Sequence, residues 1–161
     1  MNIDELSRGS ELPGPEVRIG SLLRMAHEIA ETTVVEAAAA AGYSEPRPAH
    51  FRLMRFPGLE RARPTELAAR LETSKQAINP LLHDLERWGY IQRQLHPDDE
   101  RGRIVRLTGR GQALMAVIAE AHARLESRWA RLVGQRRFAT LRAILCELAE
   151  EHSALDGRPP L

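Results

Sequence analysis

The sequence predicts a mainly α-helical chain with one small β-hairpin: a winged helix-turn-helix set between long N- and C-terminal dimerisation helices. Three observations predict it. The stretch from Thr65 to Gly89 holds two amphipathic helical patterns with only Glu72-Thr73 between them, too short for anything but a tight corner. Two strand-like runs follow at once, Tyr90 to Leu95 and Arg103 to Leu107, joined by turn residues from His96 to Gly102. Both ends of the chain carry long helical runs whose apolar stripes a 161-residue chain cannot easily cover alone.

Each element can be justified in order. Residues 1–15 read as a flexible arm ending in the Pro13-Gly14-Pro15 break. Glu16 to Ala41 forms a first helix, striped by Ile19, Leu22, Leu23, Ala26, Ile29, Ala30, Val34, Ala37 and Ala41, with Gly42 to end it. A second helix, about Arg47 to Arg55, turns Phe51, Leu53 and Met54 inward and stops at Phe56-Pro57-Gly58. In the helix-turn-helix, Leu67, Ala68 and Leu71 share one face, and Ala77, Ile78, Leu81, Leu82 and Leu85 share another. Thr73 offers a hydroxyl cap to the second of these helices, and Gly89 a left-handed end. After the hairpin, Thr108 caps a long helix from Gly109 to Val133, broken by Gly134. The last helix, Gln135 to His152, has two apolar stripes, Phe138/Leu141/Leu145/Leu148 and Ala139/Ala143/Cys146, which predicts burial on two sides. The resulting division is 16–45 and 109–155 for dimerisation, 46–108 for the winged helix, and 156–161 for a frayed tail.

Composition excludes several classes. No run of 18 apolar residues exists, and the acidic N-terminus has no hydrophobic signal region, so a cytoplasmic protein without membrane contact is expected. One cysteine, Cys146, excludes an internal disulfide framework, and its alanine neighbours predict an inert core thiol. Catalytic chemistry finds no support. The run from His27 to Glu31 approaches a zinc-protease pattern but has Glu31 where the second histidine would stand. The remaining histidines, His50, His83, His96, His122 and His152, show no ligand spacing. Gly109-Arg110-Gly111 is too short for a phosphate loop, and no serine lies in a nucleophile-elbow context. No enzyme, metal or cofactor is expected.

Charge is distributed unevenly. The chain is net +1, but residues 1–50 hold 4 basic and 8 acidic residues, whereas 61–110 hold 10 basic and 7 acidic, net +3. The positive charge thus falls on the winged helix, as phosphate binding requires. The second helix of the pair opens with Thr73, Ser74, Lys75, Gln76 and Asn79. A recognition helix reads base edges in the major groove with its N-terminal residues, and amides with a lysine suit adenine, guanine and phosphate. On the hairpin, Asp99 and Arg101 are two apart, so in an extended tip both point the same way. The aspartate can aim the guanidinium into a minor groove. Arg103 on the wing and Thr65 opening the first helix complete the set of DNA candidates. The same shape also serves as a protein-interaction module that never touches nucleic acid, and Glu100 and Asp84 favour that alternative.

The stretch from Thr65 to Gly111 resembles the multiple-antibiotic-resistance regulator (MarR) family. The resemblance rests on the Thr65-Glu66-Leu67-Ala68 opening, the run from Ser74 to Ile91, the wing from Pro97 to Gly102, and the re-entry into helix at Leu107-Thr108 and Gly111. It implies a homodimeric transcription factor, usually a repressor, that binds a pseudo-palindromic operator in double-stranded DNA and is released by a small ligand. Asp99 and Arg101 match the family's wing signature. Three departures stand out: His83-Asp84 where the family often has Asp-Arg, Glu100 where a second basic residue is frequent, and Pro80 inside the recognition helix, which predicts a kink. The family often takes aromatic or phenolic acids in a cleft between dimerisation helices and winged helix. Here that cleft would involve His27, His50, Phe51, Arg52 and Trp88, with Arg52 as carboxylate partner.

Overall fold

The computed structural model describes residues 17–55, 59–71, 73–96 and 99–155. Among these the order is α1 (Ile19–Ala40), α2 (Pro48–Met54), α3 (Pro64–Arg70), α4 (Lys75–Arg87), β1 (Ile91–His96), β2 (Asp99–Leu107), α5 (Gly109–Val133) and α6 (Gln135–Leu155). The expected arm at 1–15, the stop at 56–58 and the tail from 156 lie outside the described residues. The fold is mostly helical with one antiparallel hairpin, as the sequence predicts.

Local chemistry sets the boundaries. Gly42 and Gly89 both take positive φ, +86° and +75°. Each closes its helix with paired backbone bonds: Tyr43 N–H reaches the Ala38 carbonyl (2.9 Å), and Tyr90 N–H reaches that of Leu85 (2.8 Å). Thr108 ties three elements together. Its Oγ1 accepts from Gly111 N–H (3.0 Å), so it caps α5; the hydroxyl also donates to the Gly89 carbonyl (2.5 Å). Its own N–H donates to the Tyr90 carbonyl (3.0 Å). The start of α5 therefore sits hard against the end of α4, and only glycine fits at 111. A Cβ there would lie 2.0 Å from the Tyr90 carbonyl oxygen.

The cap of α4 differs from expectation. Ser74, not Thr73, holds the cap position, with extended backbone (φ −82°, ψ 153°) and its Oγ accepting from Ala77 N–H at 3.1 Å. Thr73 is used one step earlier, where its N–H closes the end of α3 on the Ala68 carbonyl (3.0 Å). Such a cap contributes about 1 kcal/mol. Pro80 lies inside α4, yet the helix runs on to Arg87. It faces outward on the groove side described below, while Ile78, Leu82 and Leu85 are buried on the other face.

The wing pairs Ile91 with Leu107 through Leu95 with Arg103, and its register shifts between Leu95 and His96. A third segment joins it. Arg61 N–H donates to the Val105 carbonyl (2.7 Å), and Val105 N–H donates to that of Ala62 (3.0 Å). Arg61 adopts φ +72° to make this contact.

The core sits within the winged helix and the portions of α1 and α5 that cover it. Leu53, Met54, Leu67, Ile78, Leu82, Leu85, Tyr90 and Ile91 are almost wholly buried, together with Val34 and Ala38 of α1 and Leu114, Ile118 and Ala121 of α5. Each large side chain so buried contributes about 1.5–3 kcal/mol. The outer parts of the long helices behave otherwise. Ile19, Leu22, Leu23, Met25 and Ile29 of α1, Leu132 of α5, and Leu141, Ile144, Leu145 and Leu148 of α6 are exposed in the single chain. The two-sided burial expected for the last helix is therefore absent within one chain. Cys146, expected in the core, is exposed as well, because no other described element covers its face of α6.

Candidate nucleic-acid interface

Three elements meet around an open groove of ≈ 920 Å³, lined by Arg63, Pro64, Thr65, Lys75, Gln76, Asn79, Pro80, His83, Arg93 and Arg103. The start of α3 contributes Arg63 to Thr65, α4 contributes one face, and the wing contributes Arg93 and Arg103. The α4 face follows helical spacing, since Gln76, Asn79, Pro80 and His83 stand at i, i+3, i+4 and i+7. The opposite face is locked into the core by Ile78, Leu82 and Leu85, so the groove-facing residues have no freedom to turn away.

The electrostatics of this groove are one-sided. Four of its ten lining residues are arginine or lysine, and none is acidic. Lys75 and Arg103 are exposed and form no ion pair with any described residue. Arg63 opens α3, and its backbone N–H donates to Glu66 Oε2 (2.9 Å); Pro64 stands at the first helical position, where its missing N–H costs nothing. Arg93 is clasped by Glu86 through Nε (2.8 Å) and Nη2 (2.5 Å). The Arg93 guanidinium beside it holds the Glu86 carboxyl below the usual carboxylate range, against the opposing effect of burial.

Of the residues expected from sequence, Thr65, Lys75, Gln76, Asn79 and Arg103 come together in this groove. Ser74 caps the helix instead of lining it, and Thr73 borders a different cavity. The backbone of Asp99 and Arg101 is in β2, while their side chains lie outside the described ones. Five groove residues were not among those expected: Arg63, Pro64, Pro80, His83 and Arg93. His83 was legible in principle, one turn on from Asn79. Arg93 was hidden because its partner Glu86 lies across the corner between helix and strand.

Asp84 is turned from the groove. It is held by Arg87 (2.8 Å) and lies 3.6 Å from Nε2 of the buried His50. The His50 ring accepts at Nδ1 from the Arg47 N–H (3.0 Å) and meets the Trp88 ring edge-on, centroids 5.0 Å apart. Burial lowers the His50 pKa, with Asp84 opposing. Of the five residues expected at an effector cleft, His50 and Trp88 are thus in contact. Phe51 is a core residue, and His27 faces Glu31 (3.4 Å) on the surface of α1. Arg52 borders a separate cavity of ≈ 400 Å³ with Ala49, Leu53, Leu71, Thr73, Ala77, Ile78 and Leu81.

Behind the groove, a polar junction fixes the winged helix to the long helices. Arg110 of α5 donates to Glu45 (2.7 Å), to the Tyr90 hydroxyl (3.1 Å) and to the Trp88 carbonyl (3.0 Å). Tyr90 also donates to Glu45 (2.8 Å), and burial with that bond pushes its pKa up to about 12.

Residues 51–102 match the family model described as the MarR family. That stretch, from the second helix to the tip of the hairpin, is similar to the MarR family. Solved structures agree on the fold over nearly the whole chain. A crystal structure of MarR superposes with a TM-score of 0.76 at 22% identity, covering 92% of this chain and 99% of the other. The transcriptional repressor CouR, bound to a 23-mer DNA duplex, gives 0.67 at 26% identity, covering 87% and 99%. The reduced form of MarR from E. coli gives 0.68 at 22% identity, covering 86% and 98%. No curated protein matches the chain. No described helix is long and apolar enough to cross a membrane.

Proposed function

We propose that this MarR-type chain is a cytoplasmic, non-enzymatic transcriptional repressor that binds a pseudo-palindromic operator as a homodimer. The observation that carries the reading is the groove, in which amides from α4 are flanked by Arg63, Lys75, Arg93 and Arg103 with no carboxylate in the lining. In it Gln76 and Asn79 read base edges, Lys75 and the arginines hold phosphates, and Thr65 adds a backbone contact. Asp99 aims Arg101 into the neighbouring minor groove from the wing tip. The lining also holds Pro64 and Pro80, but its four cations and two amides favour DNA over a protein partner.

The dimer is supported by the exposed apolar residues on α1, α5 and α6, which a twofold mate would cover. CouR holding a duplex supports the DNA partner. Release by a small aromatic or phenolic acid completes the proposal. Support comes from Arg52, a cation beside the apolar wall of Leu53, Leu71, Ile78 and Leu81, against the recognition helix. A ligand favouring one spacing of the two winged helices would shift the dimer away from the DNA-binding spacing. The test is enrichment from a random duplex pool, followed by anisotropy titration of the winning sequence. Tight, salt-sensitive binding is expected; no enrichment at low salt would refute the reading.

A further inference from the structure

Glu86 lies next to the proposed phosphate-binding groove, where a carboxylate should repel DNA. The structure gives it another task. Its Oε2 accepts from Nε and Nη2 of Arg93, at 2.8 and 2.5 Å. Its Oε1 accepts from the Arg93 backbone N–H at 3.1 Å. One carboxylate thus fixes both the main chain and the guanidinium of the same residue. Glu86 belongs to α4 and Arg93 to β1, so these bonds lock the wing to the recognition helix at their corner. Both side chains are half-buried, 35% and 25% exposed.

The engaged edge of the guanidinium is Nε and Nη2. No described residue accepts from Nη1, and the Arg93 side chain lines the groove beside Asn79, His83 and Arg103. A guanidinium has a fixed fork of donors, and one edge can be held while the other binds an oxyanion. From this geometry we infer that Arg93 is a pre-oriented phosphate clamp at the corner of helix and wing, and that Glu86 is its positioning residue. Glu86 therefore promotes DNA binding although it carries the repelling sign. This inference rests on the DNA-binding reading above and names the residue pair that sets the angle between helix and wing on the duplex.

The two effects of Glu86 predict opposite signs, which makes the test sharp. Glu86→Gln removes a negative charge near phosphates, and simple electrostatics predicts tighter binding. The clamp predicts weaker binding, by about tenfold, as for the loss of a charge-assisted hydrogen bond. It also predicts a salt dependence shallower by about 1.8 in log–log slope, because each chain of the dimer then holds one phosphate fewer. A fold defect would lower the active fraction and leave that slope unchanged. Arg93→Lys keeps the charge but loses the fork, and is expected to cost a similar factor. The double variant should lose no more than either single one, because both changes remove one unit.

The measurement is anisotropy titration of a fluorescein-labelled duplex enriched from a random pool by the wild-type full chain, at several salt concentrations. Weaker binding, a shallower slope and non-additivity together support the clamp. Equal or tighter binding by Glu86→Gln, an unchanged slope, or additive losses would overturn it while leaving the DNA reading intact. A wild-type chain that enriches no duplex would overturn both.

Discussion

Lys75→Ala gives a prediction that can be worked through in numbers. Lys75 is exposed at the opening turn of α4 and lines the groove with Arg63, Arg93 and Arg103. If each of these four engages one phosphate, a dimer neutralises about eight, and its log–log salt slope is about −7. Removing Lys75 from both chains frees two of those phosphates and brings the slope to about −5.4. Between 50 and 200 mM salt the wild type then loses affinity about 10⁴-fold and the variant about 10³-fold. The variant is thus most impaired at low salt, and the two curves converge as salt rises. The fold should be untouched, because the side chain makes no ion pair with any described residue and the Ser74 cap stays in place. Anisotropy titrations across four salt concentrations measure it. An unchanged slope, whatever the affinity, would show that Lys75 makes no phosphate contact.

Four further outcomes are expected. Gly111→Ala should destabilise the chain by about 2–3 kcal/mol, read as a lower midpoint in urea, because the added Cβ would sit 2.0 Å from the Tyr90 carbonyl oxygen; an unchanged midpoint would contradict that close approach. Arg101→Ala should weaken duplex binding while sedimentation still shows the dimer, and full affinity in a gel shift would remove the wing tip from the account. Leu145→Glu places a charge in the exposed apolar row of α6 and should yield monomers with much weaker DNA binding; a dimer unchanged in light scattering would place the interface elsewhere. Finally, burial lowers the pKa of both His50, faced by Arg47 and Asp84, and His122, faced by Arg55 and Glu126. Their folded values lie below the unfolded value of about 6.5. The stability that depends on their neutral forms is therefore complete above that pH and is lost as pH falls through the folded pKa values. Urea midpoints measured between pH 7.5 and 5 should fall with acid, and His50→Gln should flatten the trend.

Much of this fold could be read where a local signal marked both ends of an element. Helix α5 runs over Gly109–Val133 as expected, because a capping threonine and a breaking glycine bracket it. Gly89 likewise announces the end of α4. Where two residues of like chemistry adjoin, the sequence is silent: Thr73 and Ser74 both offer a hydroxyl, and only the closing bond from Thr73 to Ala68 decides between them. Contacts made by single pairs leave no pattern either. Arg61 and Ala62 join the wing through two bonds to Val105, with nothing strand-like in their neighbourhood. In the groove, Gln76 and Asn79 were legible from helical position, and Arg93 was not, since its role depends on Glu86. Cys146 was misread for an instructive reason. Apolar periodicity reports that a face is covered, not by which chain, and within one chain that face of α6 is open.

Footprinting on an enriched duplex probes most directly whether two winged helices grip DNA together. Protection of two inverted half-sites on one face, with centres about 34–36 Å apart, is the result predicted here. Protection of a single half-site, or no protected sequence at 50 mM salt, would contradict it.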